Sequence, residues 1–306
     1  MLTGRAERSQ LYSSCALVRM ANSTTLTVAV AQTESILGDV EANLRKHLDI
    51  VDAARSAGVE VLLFPEMSLT GHSAGPDALR LAIDRNHRFV ADIARAAGKM
   101  CTVFGVIEEA AAAQFFNSAI AVRDGKIIFV HRKINLATYG KLEDGKHFAA
   151  GSQIETFDLS PGWRACVLIC ADTWNPALVH LAALQDATLL LAPISSAIEA
   201  VGAEFDNPGG WEINLRFYAL TYGMPVMMAN RVGQEGDLTF WGGSRILDPF
   251  GRALATATGG GEQLVHAQLD FESVRRARYL LPTVRDSNLP LVQREMERLM
   301  QARAQC

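Results

Sequence analysis

The apolar positions of the chain fall into strand-sized runs separated by stretches of helical period. Residues 26–32 (LTVAVAQ) form an unbroken apolar and β-branched run, which predicts a buried strand. Asp39 predicts the cap of a helix through about Arg55, closed by Gly58. Residues 59–64 (VEVLLF) predict the next strand, ended by Pro65 and Glu66. A helix over roughly 78–97, stopped by Gly98, and a third strand over 100–107 follow. The order β-α-β-α-β favours parallel strands joined by helical crossovers. Residues 118–122 and 126–130 are two further strands around Asp124-Gly125, a hairpin signal that makes the sheet mixed.

The pattern then returns to alternation. A strand over 164–169 precedes Asn175-Pro176, an N-cap followed by proline at the first helical position. That helix runs to about Gln185. A strand over 188–192, a helix over roughly 212–222 and a strand over 225–229 come next. Residues 244–247 and 254–256 predict a second hairpin around Asp248-Pro-Phe-Gly. A last strand spans 264–269, and everything after Phe271 reads as helical, with Arg- and Glu-rich faces. Neither a linker nor a fixed-period repeat interrupts the series. We therefore expect an N-terminal tail (1–25), one domain (26–286) and a C-terminal helical extension (287–306).

Composition narrows the function classes. The 306 residues are 49% hydrophobic and 20% charged, as in globular proteins, and the formal net charge of −4 offers no footprint for nucleic acid. Apolar runs are too short to span a membrane. Residues 1–25 carry Arg5, Arg8 and Arg19 but no continuous apolar stretch before a cleavage site, so they do not read as a secretion signal. Met20 opens a run that reads like a natural start. Without secretion, the glycosylation sequon Asn22-Ser23-Thr24 carries no meaning. The five cysteines (Cys15, Cys101, Cys166, Cys170, Cys306) form no Cys-x-x-Cys pair, which argues against a disulfide framework or a zinc site and for a reducing cytoplasm.

Three reactive side chains stand at predicted strand ends, where open α/β sheets bind ligands. Cys170 follows the strand over 164–169, and the helix beginning near Pro176 is expected to lower its thiol pKa. Cys166, mid-strand, reads as core packing. Glu66 closes the strand over 59–64; alone it reads as an exposed loop acid, at an active site as a general base. Lys133 ends the hairpin in His131-Arg132-Lys133; alone it is a solvated basic cluster, in a site the cation that stabilises an oxyanion. Together they supply what acyl transfer to a thiol requires.

These residues carry a resemblance. Phe64-Pro65-Glu66-Met67-Ser68-Leu69-Thr70-Gly71, His131-Arg132-Lys133-Ile134-Asn135-Leu136 and Leu168-Ile169-Cys170-Ala171-Asp172 resemble, in order, the glutamate, lysine and cysteine motifs of the nitrilase superfamily of carbon–nitrogen hydrolases. The stretch from Gly242 to Gly251 (GGSRILDPFG) resembles another family segment, and the match runs from Leu26 to about Asp286. The resemblance implies a four-layer α-β-β-α sandwich with mixed sheets, assembled as a homodimer or larger homo-oligomer. It implies a Glu66-Lys133-Cys170 triad acting on a small-molecule amide, with no metal or organic cofactor.

The chain departs from the family pattern in places. The second acid that follows the lysine in many members falls on Asp144 or on Glu143. Ala171-Asp172 replaces the Trp-Glu that follows the cysteine of true nitrilases, which resembles the amidase-like branches. Trp174-Asn175-Pro176-Ala177 lacks the glutamate of carbamoylase-like members. The branch stays open between amide, carbamoyl and nitrile substrates, and a catalytically inactive binding homologue stands as an alternative. Tyr139 and Trp174 are candidate substrate-binding residues, although ordinary packing is the commoner role for each. Phe205 and a polar loop over 206–211 are expected to cover the pocket. Three further signals are set aside. Gly140 to Lys146 mimics a phosphate loop, but His147 stands where Ser or Thr is needed. His180 offers a papain-like partner but lies too far along its helix. The seven histidines show no metal-ligand spacing such as His-Glu-x-x-His.

Overall fold

The computed structural model describes residues 25–304. Residues 1–24 of the expected N-terminal tail, with the sequon at Asn22 and Cys15, and Cys306 lie outside the described residues, whereas Thr25 already belongs to the first strand. β1 (Thr25–Gln32), α1 (Val40–Ser56) and β2 (Val61–Leu63) form the first crossover, with the Asp39 carboxylate accepting the Ala42 N–H as the N-cap. The helix expected over 78–97 is two helices, α2 (Ala78–Leu81) and α3 (Arg88–Ala97). Between them Ala82 turns extended and Ile83 bridges to Glu108, so tertiary pairing interrupts a segment whose propensity is helical. β3 (Cys101–Ala110), β4 (Gln114–Arg123) and β5 (Lys126–Arg132) follow. The β4–β5 turn places Asp124 and Gly125 at φ 53° and 72°, the left-handed pair that Asp-Gly is suited to.

A one-turn helix, α4 (Asp144–His147), leads to the second half: β6 (Thr156–Ser160), β7 (Trp163–Val167), α5 (Pro176–Leu184), β8 (Leu189–Ile194), α6 (Asn207–Tyr222) and β9 (Val226–Asn230). Three short elements were not foreseen: β6 and the hairpin of β10 (Val232–Glu235) and β11 (Leu238–Trp241). β12 (Arg245–Leu247), β13 (Ala253–Thr256), β14 (Gln263–Asp270), α7 (Phe271–Leu280) and α8 (Leu289–Ala304) complete the chain. No helix among the described residues is long and apolar enough to cross a membrane.

Two six-stranded mixed sheets result, ordered β14-β1-β2-β3-β4-β5 and β13-β12-β9-β8-β7-β6. Each has three parallel strands at its centre and antiparallel strands outside them. Strand alternation sorts the faces. Leu26, Val28 and Val30 join Ala165, Leu189 and Met227 in one core, whereas Ala29 and Ala31 pack with Leu44, Val51, Val90 and Ile93 of α1 and α3. α5 and α6 cover the second sheet through Val179, Ala182, Leu215 and Ala219. The layers are helix, sheet, sheet, helix. The central parallel strands are mostly apolar, β2 and β8 entirely so, because both of their faces are covered.

Candidate active site

The ends of β2, β5 and β7 meet at one place. Past β2 the chain turns through Pro65, Glu66 and Met67, with Met67 at φ 49°. This turn lies directly on β3: Leu69 N–H donates to Gly105 O at 3.1 Å, and Gly105 N–H donates to Ser68 Oγ at 3.1 Å. A Cβ at position 105 would stand 2.1 Å from Met67 N, so only glycine lets the turn approach so closely. Lys133 leaves β5 with its N–H on Asn117 O (2.8 Å), and its own carbonyl accepts the Gly151 N–H (2.8 Å). Cys170 opens a 3₁₀ turn, Cys170–Trp174, and takes φ 46°. A non-glycine residue holds this left-handed geometry only where its surroundings enforce it. Here Thr173 Oγ1 donates to Cys170 O at 2.8 Å.

Lys133 is the hub. Its Nζ donates to Glu66 Oε1 at 2.7 Å and to Asp144 Oδ2 at 2.5 Å. Asn117 Nδ2 donates to the same Glu66 oxygen at 2.7 Å, while Glu66 Oε2 is buried with no hydrogen-bond partner among the described residues. Glu66, Lys133 and Cys170 are 3%, 2% and 9% exposed, so their charges act in a nearly dry site. Burial opposes charge on Lys133, but Glu66 and Asp144 outweigh it and hold the ammonium well above its ordinary pKa. Burial likewise opposes ionisation of Asp144, and the Lys133 charge overcomes it, leaving the carboxyl below its usual range.

The thiol behaves otherwise than the sequence led us to expect. Burial, and then the Glu66 carboxylate, push the Cys170 thiol well above its ordinary value; Lys133 and the Ser195 backbone N–H only partly offset them. Five residues separate Cys170 from the start of α5. The resting group is a neutral thiol beside a carboxylate, an arrangement suited to deprotonation on demand. Cys166 is a core thiol, pushed up to about 12 by burial.

Of the two acids left open, Asp144 meets Lys133; Glu143 points outward onto Lys146. Tyr139 and Trp174 are 45% and 36% exposed. The Tyr139 hydroxyl is pushed up to about 12 by burial and then by the nearby Cys170. Trp174 packs edge-on against Trp211 (4.9 Å between centroids) and Phe205 (5.8 Å). The polar loop expected over 206–211 is instead the first turn and a half of α6. Asp206 caps it by accepting the Gly209 N–H, Asn207 Nδ2 donates to Ser196 Oγ, and Trp211 is buried with Nε1 on the same hydroxyl. Phe205 remains at the surface beside Trp174. His180 lies against Tyr222, 5.8 Å away. Among the described residues no cluster of three His, Cys, Asp or Glu could hold a metal ion.

Sequence reasoning passed over His72. Its backbone N–H donates to Glu235 Oε1 (3.2 Å), and its ring meets Phe240 at 5.3 Å. Glu235 in turn forms a buried ion pair with Arg231. Burial keeps the imidazole below its ordinary pKa despite the neighbouring Glu66 and Asp144 charges. With Asp144, Lys141 and His147 it lines a cavity of about 140 Å³. The only sequence signal was its place just after the glutamate motif.

With this geometry in hand, comparison with known proteins gives a consistent result. The family model described as carbon–nitrogen hydrolase matches residues 27–279. The chain is 29% identical over 261 residues to a glutamine-dependent NAD(+) synthetase of Thermotoga maritima, covering 84% of this chain but only 44% of that protein. It is 24% identical to an N-carbamoylputrescine amidase of Arabidopsis thaliana, covering 81% of this chain and 88% of the relative. Among solved structures, an amidase of the nitrilase superfamily from Nesterenkonia AN1 superposes with a TM-score of 0.74 at 22% identity, over 88% of this chain and 96% of the other. The chain thus spans less than half the length of the synthetase and nearly all of the amidases.

Proposed function

The chain belongs to the carbon–nitrogen hydrolase family, and from that premise we propose that it hydrolyses the C–N bond of a small linear amide, with Cys170 as covalent nucleophile. One observation carries the proposal: a buried lysine gripped at 2.7 Å and 2.5 Å by two carboxylates, one of which lies beside a buried, neutral cysteine. Glu66 takes the Cys170 proton as sulfur attacks the amide carbon. The oxyanion that forms is stabilised by the Lys133 ammonium and the Ala171 backbone N–H. The C–N bond breaks, the departing nitrogen takes the proton from Glu66, and ammonia or an amine leaves a thioester on Cys170. Glu66 then deprotonates water, which attacks the thioester; the acid departs and the sulfur regains its proton. Asp144 holds Lys133 and, with Glu66, keeps it charged. Tyr139 and Trp174 wall the acyl group.

A second reading is a carbamoyl amidohydrolase. The N-carbamoylputrescine amidases among the relatives favour it, and the missing acid at Ala177 speaks against it. A third substrate class is the side-chain amide of glutamine, favoured by the glutamine-dependent relatives. The three free buried thiols among the described residues fit a reducing compartment, the cytoplasm. We place self-association on the apolar patch of Leu181, Ile213, Phe217 and Leu220, all at least 47% exposed on α5 and α6. Light scattering should give a dimer or larger that Ile213→Glu dissociates.

The deciding experiment is ammonia release against simple primary amides, glutamine, N-carbamoyl amines and amino acids, and nitriles, with Cys170→Ala as blank. Release from amides supports the proposal, and release chiefly from carbamoyl compounds moves the chain to the second reading. A Cys170→Ala protein that keeps substantial activity would overturn the mechanism.

A further inference from the structure

Asp172 is fully buried two residues past the nucleophile, and the reaction scheme above gives it no task. Its carboxylate accepts four hydrogen bonds. Oδ2 takes the Ile169 N–H (3.0 Å) and His131 Nε2 (2.9 Å); Oδ1 takes the Ile134 N–H (2.9 Å) and the Asn135 N–H (2.7 Å). A carboxylate only accepts, so His131 carries its proton on Nε2. Ile169 is the residue before Cys170, and His131, Ile134 and Asn135 flank Lys133 on both sides. Asn135 Nδ2 adds a bond at 3.4 Å to Ala171 O, across the same junction. The two loops come from different sheets: Lys133 follows β5 at the edge of the first, and Cys170 follows β7 in the second. No strand pairing holds one loop against the other.

We propose that Asp172 and His131 are positioning residues that fix the Lys133 ammonium relative to the Cys170 sulfur. This inference rests on the reading of Cys170 as nucleophile and of Lys133 as the group facing its oxyanion. His131 is the side chain through which the unit can be tested, because removing it leaves every backbone donor in place. An imidazole donor on one flank of Lys133 opposes two backbone donors on the other. Without it the carboxylate keeps the Ile169 N–H but grips the lysine loop on one flank only, and that loop gains freedom to shift against the cysteine turn. A displacement approaching 1 Å at reacting groups costs on the order of 100-fold in rate.

The test uses fluoroacetamide in the wild type, His131→Phe and His131→Gln. Attack of the Cys170 sulfur on its carbonyl carbon ends in release of ammonia, whose rate is compared, whereas displacement of fluoride by the sulfur leaves a thioether adduct seen by intact mass. Glutamine places an N–H donor near the position of Nε2; phenylalanine fills the space without one. Rates are compared across pH 6–10 on protein shown folded by circular dichroism. We expect His131→Phe to react roughly 10- to 100-fold more slowly per folded molecule, and His131→Gln to recover to within about threefold of wild type. Equal rates and pH profiles in wild type and His131→Phe would overturn the positioning role alone. So would a His131→Gln protein as impaired as His131→Phe, since that pattern reports lost packing. A wild type that neither releases ammonia from fluoroacetamide nor forms an adduct would overturn the nucleophile reading and this inference with it.

Discussion

Replacing Gly105 with alanine places a methyl group where the glutamate turn crosses β3. The new Cβ would lie 2.1 Å from Met67 N and 2.8 Å from both Glu66 C and Pro65 O. All three are backbone atoms, so no rotamer change relieves the contact. Restoring about 3.0 Å to Met67 N requires the turn and β3 to separate by about 0.9 Å. β3 is anchored between β2 and β4, whereas the turn is held by Ser68 Oγ and Leu69 N–H, so the turn is the part that yields. Overpacking of this kind costs about 1–3 kcal/mol of stability. The shift falls on Glu66, the proposed base, and should lower kcat on the order of 100-fold with a smaller change in KM. Ammonia release and a urea melt on the same preparation measure both. A Gly105→Ala protein that loses stability but keeps wild-type kcat would refute the argument that this glycine sets the position of Glu66.

Other outcomes follow from the same charges and burial. Lys133→Met leaves the Glu66 and Asp144 carboxylates buried without their cation and should destabilise the fold by about 3–5 kcal/mol as well as silence it; a near-wild-type melting temperature would contradict the ion-pair reading. Burial disfavours charge on Glu108, but hydrogen bonds from Arg132, Ser118 and Arg85 lower its carboxyl to about 2. Because the folded-state pKa lies below the unfolded one, the stability Glu108 contributes is present above about pH 4.5 and lost as pH falls toward 2. At neutral pH it amounts to about 3 kcal/mol. Urea melts of Glu108→Gln against wild type should therefore differ at pH 7 and converge near pH 2; a constant difference would refute the linkage. Since the Cys170 thiol is raised, its reaction with a non-amide reagent such as methyl methanethiosulfonate should be slow at pH 7 and still rising above pH 9. A plateau by pH 8 would contradict it.

The chain's own pattern determined the elements with strong local causes. Asp39 capped α1, Asp124-Gly125 turned the β4–β5 hairpin, and Asn175-Pro176 started α5, each through chemistry confined to a few neighbouring residues. The three motif residues were legible because their strand ends and order survive in one dimension. Tertiary contact decided the rest. Residues 78–97 read as one helix but break at Ala82 because Ile83 pairs with Glu108, twenty-five positions away. Residues 206–211 read as a polar loop but are helical because Asn207 and Trp211 find Ser196 inside the fold. The contact of Lys133 with Asp144 and not Glu143, the raised thiol of Cys170, the hydrogen bonds gathered on Asp172 and the close approach at Gly105 were likewise invisible. Hydrogen bonds, desolvation and close approach depend on which groups face one another across two sheets. Local pattern records the side chain but not the partner that gives it a task.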